Sequence, residues 1–137
     1  MKVANVWLGK DIQLNTDQDE NKKMVKIRPL DVFAETHWRL LEQAICCNIP
    51  PELSATDRSM ADLMERAGTD MDAIKAKHSV QDNNDTKIRF PFSSSRKRMS
   101  TIIEEATGAG GYDKRLHIKG ASEMVLACCN TFMNDQG

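Results

Sequence analysis

The chain has 137 residues, a length typical of one domain. Its net charge of −1 excludes the large positive excess of a general nucleic-acid binder. No apolar run is long enough to span a bilayer and no signal peptide is recognisable, so we expect a soluble cytosolic piece without membrane contact of its own.

The first thirty residues predict two short strands separated by a polar segment. Val3–Leu8 is strand-like, whereas residues 11–23 are acidic and polar and are predicted to form a mobile loop. Met24–Ile27 predicts a second short strand, which Pro29 would end.

Two apolar stripes at helical spacing then predict a helical hairpin. Asp31 is the predicted cap of the first helix, which should end before two consecutive prolines. The second helix is predicted over Thr56–Ala67, with Thr56 as its cap and Gly68 ending it in the left-handed conformation. Asp70 is the predicted cap of a short third helix.

The second half of the chain changes to the period of two that is typical of strands. Ile88–Phe92 predicts a half-buried edge strand, followed by strands over Met99–Glu105 and Tyr112–Ile118 with a glycine-rich loop at 108–111 between them. A last helix is predicted after Gly120. Its predicted buried stripe comprises Met124, Val125, Cys128, Cys129 and Phe132.

This order of elements predicts an α+β fold, in which the helical hairpin and the C-terminal helix pack on an antiparallel β-sheet. We expect one domain over residues 1–137. The four cysteines form two adjacent pairs, Cys46-Cys47 and Cys128-Cys129. Adjacent helical residues point about 100° apart and chelate one metal poorly, so we interpret them as buried thiols of a reducing compartment.

The segment Phe92–Ser100 places an aromatic ring before a hydroxyl-rich turn and three successive cations. In one interpretation Phe92 stacks on a flat base and Lys97 lies near a phosphate. In another, Phe92 is a core residue and the cations belong to a solvated turn. A third, regulatory interpretation makes Arg96–Ser100 a kinase substrate or docking site.

A second candidate segment, Lys119–Glu123, follows at a predicted strand-to-helix junction. Gly120 would let another group approach the backbone closely, and the following helix start offers free amide hydrogens. The alternative is a simple turn with an exposed Lys119.

With these two segments the sequence resembles the nucleotide-binding domain of P-type ATPases, the cation pumps that form an aspartyl-phosphate. Phe92 and Lys97–Ser100 match that family's aromatic residue and Lys-x-Met-Ser turn, and Lys119–Glu123 matches its Lys-Gly-Ala-Ser/Pro-Glu motif. The resemblance implies that Phe92 stacks on adenine and that Lys97 and Lys119 line the nucleotide pocket. The serine in the second motif is typical of plasma-membrane and vacuolar calcium pumps.

The resemblance also places four further residues at the nucleotide. Met99 and Gly120 belong to the two motifs. Asp57 stands where the family has a glutamate that contacts adenine; the aspartate side chain is one methylene shorter. Ser94 also falls at the pocket, where some calcium pumps carry an arginine directed at a phosphate; serine cannot take over that role, which stays unassigned.

The implied function is an ATP-binding module of a calcium-transporting P-type ATPase, the cytosolic domain of a membrane protein. It would present ATP to an aspartate on a separate phosphorylation domain, with Mg²⁺ supplied with the nucleotide and by another domain. The implied partners are ATP and the phosphorylation and actuator domains. The phosphorylation loop is not in the sequence, so we expect an incomplete domain that is not catalytic alone; the alternative is a non-catalytic regulatory domain that uses Arg96–Ser100.

Overall fold

The structure, a computed structural model, describes residues 1–50, 52–78, 88–106 and 110–137. Within these ranges the elements are, in chain order, β1 (Asn5–Trp7), β2 (Asp11–Gln13), α1 (Pro29–Val32), α2 (Glu35–Cys47), α3 (Ala55–Ala67), α4 (Met71–Lys77), β3 (Ile88–Ser93), β4 (Arg98–Ala106), β5 (Tyr112–Gly120) and α5 (Ser122–Leu126). The predicted α+β fold with an antiparallel sheet is confirmed. Part of the predicted loop at 108–111 lies outside the described residues.

The main core lies between the β1–β2 hairpin and the helices. Its buried members come from the hairpin, the start of α2 and the facing sides of α2 and α3. They are Ile12, Leu14, Phe33, Trp38, Ile45, Cys46, Ile49, Leu63 and Met64. Each such side chain contributes about 1.5–3 kcal/mol when it leaves water, so this cluster holds the helical layer together.

The polar segment predicted as a mobile loop over 11–23 contains a strand. Asp11–Gln13 pairs with Asn5–Trp7 in the antiparallel β1–β2 hairpin. Ile12 is buried in the core between two exposed polar neighbours, and this burial favours the strand in an otherwise polar segment. The predicted strand at Met24–Ile27 is wrong: Met24 forms one isolated bridge, to Gln18. This stretch is held instead by α3, since the Ile27 N–H donates to the Arg66 carbonyl.

The first long helix begins later than predicted. A short helix over Pro29–Val32 precedes it, and Phe33 adopts an extended conformation with φ −116° and ψ 146°. This break turns the Phe33 ring into the core, 5.3 Å from the ring of Trp38. The cap at Asp31 is therefore wrong, and Ala34 is the N-cap of α2.

Helix α3 begins with a capping box, and its N-cap lies two residues earlier than predicted. The cap is Ser54, not Thr56: the Asp57 amide donates to the Ser54 hydroxyl and the Ser54 amide to the Asp57 carboxylate. Both interactions satisfy donors that the helix start leaves free. The predicted left-handed Gly68 at its end is confirmed, with φ 74°, as is Asp70 as the cap of α4.

Strands β3, β4 and β5 form an antiparallel sheet in that order. One face carries Met99, Thr101, Ile103 and His117, all buried, and lies against the helical layer. The predicted edge position of β3 is confirmed. Ile88 and Phe90, its alternating apolar residues, lie on the opposite face and are 39% and 44% exposed, so the apolar side of this strand is not the one that packs against the helices. The helices cover the face that carries Thr101 and His117. Which side chains are buried is therefore decided by the register of the strands, and not by which face is more apolar.

Buried polar contacts join the two layers. The Asn48 side chain at the end of α2 donates to the His117 carbonyl (3.3 Å) and accepts from the Thr101 hydroxyl (2.9 Å). Gln43, also on α2, donates to Glu105 on β4 (3.1 Å), and Arg115 on β5 pairs with the same carboxylate at 2.7 Å. Buried polar groups need such partners, so these contacts specify how the sheet is oriented against α2.

The predicted buried stripe of the last helix is wrong. Helix α5 is short, and Cys128, Cys129 and Phe132 are exposed. The Phe132 ring lies 6.0 Å from the ring of Trp7, so the C-terminal segment runs back beside the β1–β2 hairpin rather than against the sheet. Within the described ranges, no helix has the length and apolar character needed to cross a membrane.

Candidate functional site

The turn between β3 and β4 is tightly hydrogen-bonded. The Lys97 N–H donates to the Ser93 carbonyl (2.8 Å), and the Arg96 N–H to the Ser93 hydroxyl (3.3 Å). Lys97 adopts the left-handed conformation with φ 50°, which is uncommon for a residue with a side chain. Ser94 and the Lys97 side chain are exposed in this turn. The turn therefore presents a cation and a hydroxyl to solvent on an ordered backbone.

A β-bulge sets the direction of Phe92. Phe90 pairs with Ser100 and Ser93 with Arg98, so Pro91 and Phe92 stand opposite the single residue Met99. The bulge thus puts Phe92 on the face of Met99, opposite to that of Phe90. Phe92 is 60% exposed, which excludes the interpretation of this ring as a core residue.

Lys119 continues the same row on the next strand, because it pairs directly with Met99. Neighbouring strands lie about 4.8 Å apart, so the Phe92 and Lys119 backbones are about 10 Å apart with the buried Met99 between them. An aromatic ring and an ammonium group at this separation suit a ligand with a flat apolar part and an anionic part.

The end of β5 touches the β3–β4 turn at Gly120. The Ala121 N–H donates to the Lys97 carbonyl at 2.9 Å. A Cβ on Gly120 would lie 2.7 Å from the Arg98 Cα and closer still to the Lys97 carbonyl oxygen. Glycine is required here because the two backbones approach each other.

Asp57, at the start of α3, forms an ion pair with Lys119. Burial would raise the pKa of the Asp57 carboxyl, but the hydrogen bonds from Lys119 and Ser54 outweigh it and hold the pKa below its usual value. The carboxylate is therefore ionised at neutral pH. The pair joins the helical layer to the sheet at the site.

The structure thus brings Phe92, Met99, Lys119 and Asp57 to one face of the sheet end, with the Lys97 turn packed on Gly120. Ser94 lies in the exposed turn before β4 rather than in that row. Ser54 was missed as a residue of the site, although Ser54-x-x-Asp57 is the sequence signature of a capping box and marks both residues.

The regulatory interpretation of Arg96–Ser100 fits the structure poorly at its phosphate acceptor. Ser100 is 8% exposed and pairs with Phe90 on one side and with Ile118 on the other. Its hydroxyl reaches a kinase only after β4 opens locally. Among the described residues, no three His, Cys, Asp or Glu side chains are grouped to hold a metal ion.

Comparison with known proteins gives a consistent result. Residues 53–137 match the family model described as P-type ATPase, cytoplasmic domain N. The chain is 55% identical over 47 residues (34% of the chain and 4% of the relative) to "Calcium-transporting ATPase 3, plasma membrane-type" of Oryza sativa subsp. japonica. Over its whole length it is 28% identical to "Calcium-transporting ATPase 12, plasma membrane-type" of Arabidopsis thaliana, and 30% identical to "Probable calcium-transporting ATPase 6, plasma membrane-type" of Oryza sativa subsp. japonica. In both cases it spans 13% of the relative.

Proposed function

Because this chain belongs to the P-type ATPase family, as part of its cytoplasmic domain N, we propose that it binds ATP for a calcium-transporting pump. In this function it presents ATP to an aspartate on a separate phosphorylation domain. The transported ion is proposed from the relatives, which are named as calcium-transporting ATPases. The phosphorylation and actuator domains of the pump are the proposed partners.

One observation carries the proposal: the row of Phe92, Met99 and Lys119 across the sheet end. The exposed ring of Phe92 suits stacking on adenine, a contact that contributes about 1–3 kcal/mol. Lys119 and Lys97 supply ammonium groups for the phosphates. Met99 forms the apolar floor between Phe92 and Lys119, and Ser94 is exposed in the turn that carries Lys97.

These residues fit a nucleotide better than they fit a metal ion alone. The proposed site offers an aromatic face and cations, whereas Mg²⁺ prefers carboxylate and other oxygen ligands. We therefore propose that Mg²⁺ arrives with the nucleotide and is held by another domain, where it would neutralise charge during phosphoryl transfer. This chain's own residues would bind and orient ATP. Ser100, the acceptor in the regulatory alternative, is buried, which favours the nucleotide function.

The test is an ATP titration of the 137-residue chain followed by backbone amide shifts. We expect saturable shifts that cluster at the end of β3, the start of β4 and the end of β5. Phe92→Ala should weaken binding by at least about fivefold, the equivalent of about 1 kcal/mol. Phe90→Ala is the matched control, because this ring is also exposed but lies on the opposite face. Equal losses in the two variants, or shifts confined to the opposite face, would reject the placement.

A further inference from the structure

Arg96 is the first of the three successive cations in the β3–β4 turn, and its side chain folds back onto the strand that carries Phe92. We infer that Arg96 is a positioning residue, which fixes the Phe92 ring for a flat base. This role rests on the proposed function. It makes Arg96 a determinant of affinity for the base rather than for the anionic part of the ligand.

The contacts of Arg96 lie on both sides of Phe92 in the chain. The Arg96 Nε donates to the Ser93 hydroxyl at 3.3 Å, and the Arg96 amide donates to the same hydroxyl at 3.3 Å. A second nitrogen of the guanidinium group, Nη2, donates to the Pro91 carbonyl. Arg96 therefore bridges the residue immediately before the ring and the residue immediately after it.

The backbone at Phe92 benefits from this bridge because the strand pairing is irregular there. Among the described strands, β3 lies at the edge of its sheet, so β4 alone pairs with it. Pro91 has no amide hydrogen, and the bulge takes both Pro91 and Phe92 out of one-to-one pairing. The ring itself is 60% exposed, so packing restrains it little. A loosely held ring loses conformational freedom when a base stacks on it, and that loss costs affinity.

The turn brings Arg96 into position for these contacts. The Lys97 N–H donates to the Ser93 carbonyl at 2.8 Å, which closes the turn beside the end of β3. Arginine suits the bridge because its planar guanidinium group presents donors in several fixed directions. With Nε and Nη2 occupied, two of its three nitrogens are used within the turn, whereas the Lys97 side chain is exposed. The adjacent cations therefore have different roles: Arg96 shapes the strand end, and Lys97 is accessible to a ligand.

The test titrates adenosine, ATP and inorganic tripolyphosphate into the full chain with Arg96→Gln or Arg96→Lys. Adenosine is uncharged, so loss of a cation alone cannot weaken its binding. We expect Arg96→Gln to weaken adenosine and ATP by about threefold to fivefold, since Arg96 cannot contribute more than the ring it positions. Tripolyphosphate binding should change by less than about twofold at about 0.15 M salt, where exposed charges are screened. Arg96→Lys keeps the charge but not the planar group, so its adenosine binding should stay weakened.

Two further variants show whether the effect passes through the ring. In the Phe92→Ala background, Arg96→Gln should change ATP affinity by less than about twofold, because the ring that it positions is absent. Arg98→Gln is the matched control. It removes the same charge two residues further on, from a position that alternates with Met99 and so lies on the opposite face of β4. It should leave adenosine binding unchanged.

A loss for ATP and tripolyphosphate without a loss for adenosine would overturn the inference in favour of direct contact between Arg96 and the phosphates. Full adenosine affinity in Arg96→Lys would also overturn it, and this variant carries the test alone if Arg96→Gln does not fold. An undiminished effect in the Phe92→Ala background would show that Arg96 acts by another route. If wild-type protein binds ATP and Arg96→Gln binds it equally well, positioning fails and the proposed function stands. A wild-type chain without saturable ATP binding overturns both.

Discussion

Gly120→Ala tests whether the two motifs meet as the structure describes. An alanine Cβ would lie 2.7 Å from both the Cα and the Cβ of Arg98, well inside the 3.4 Å at which ordinary contact begins. Its third neighbour is the Lys97 carbonyl oxygen, which also accepts the hydrogen bond from Ala121. Backbone atoms cannot swing aside as a flexible side chain can, so the end of β5 has to move away from the turn.

The expected cost combines two effects. Overpacking of this kind costs about 1–3 kcal/mol, and loss of the Ala121–Lys97 hydrogen bond about 0.5–1.5 kcal/mol. We expect Gly120→Ala to lower the free energy of unfolding by about 2–4 kcal/mol, and the melting temperature by about 10 °C for a chain of this length. ATP should bind at least about fivefold more weakly, because Lys97 and Lys119 flank the displaced contact.

The assay is chemical denaturation followed by circular dichroism, together with the ATP titration. Gly68→Ala is the control: it has φ 74° with nothing within 4 Å of the added Cβ, so it tests conformational strain alone, about 1–2 kcal/mol. Gly68 lies about 16 Å along α3 from Asp57, so its variant should retain ATP affinity. A Gly120→Ala protein as stable as wild type would refute the close approach. Lower stability with unchanged ATP affinity would show that the approach does not place the lysines.

Three further outcomes are expected. Asn48→Ala should lower the free energy of unfolding by about 2–3 kcal/mol in urea denaturation, because both of its buried partners in the sheet lose their hydrogen bonds; a loss below about 0.5 kcal/mol would contradict this. Burial lowers the pKa of His117 to about 4, so as the pH falls below 6.5 the imidazole is protonated in the unfolded chain before it is protonated in the folded one. The free energy of unfolding should therefore drop by roughly 3 kcal/mol by pH 4. His117→Asn should lose this part of the pH dependence when the free energy of unfolding is measured by urea titration at each pH. The exposed Cys128 and Cys129 should react rapidly with a thiol reagent, whereas Cys46, fully buried and with its pKa raised to about 12, should react only on unfolding; rapid labelling of Cys46 in native protein would argue against its place in the core.

Local signals in the sequence predict much of the fold. The left-handed Gly68 and the Asp70 cap follow from neighbouring residues alone, and the alternating pattern predicts β3 and β5. The cap of α3 was missed in favour of Thr56 because both residues suit an N-cap; the aspartate three positions after Ser54 distinguishes them.

Choices between the two faces of a sheet are not local, and there the sequence misleads. Leu116 is 51% exposed while the adjacent His117 is buried, because β5 pairs His117 with Thr101 on the face that α2 covers. No pattern within β5 reveals which side the helices will occupy. The prediction for the last helix fails for the same reason. The spacing of Cys128 and Phe132 indicates a buried stripe, but no described element covers these side chains.

The candidate site divides in the same way. The residue types of the two motifs, and hence Phe92, Lys97 and Lys119, are evident in the sequence, and their roles at ATP remain predictions. The bulge that turns Phe92 to the face of Met99 depends on the register of two strands, which the sequence does not specify. The Asp57–Lys119 pair joins residues 62 positions apart, so only the packing of α3 against the sheet reveals it.

A site built at the junction of two layers has an energetic consequence. Phe92, Met99 and Lys119 come from the sheet, whereas Asp57 comes from the helical layer. The ion pair between Asp57 and Lys119 is partly buried, so solvent ions screen its attraction less than that of an exposed pair. Breaking the contact between layers therefore leaves Lys119 without the carboxylate that holds it, while the ring of Phe92 stays where the sheet places it. Because a ligand stabilises the state that binds it, polyphosphate binding and layer docking must favour each other, whereas stacking of a base alone on Phe92 needs the sheet only. The affinity of this chain for the phosphates should thus depend on the integrity of the whole domain, and its affinity for the base on the β3–β4 hairpin.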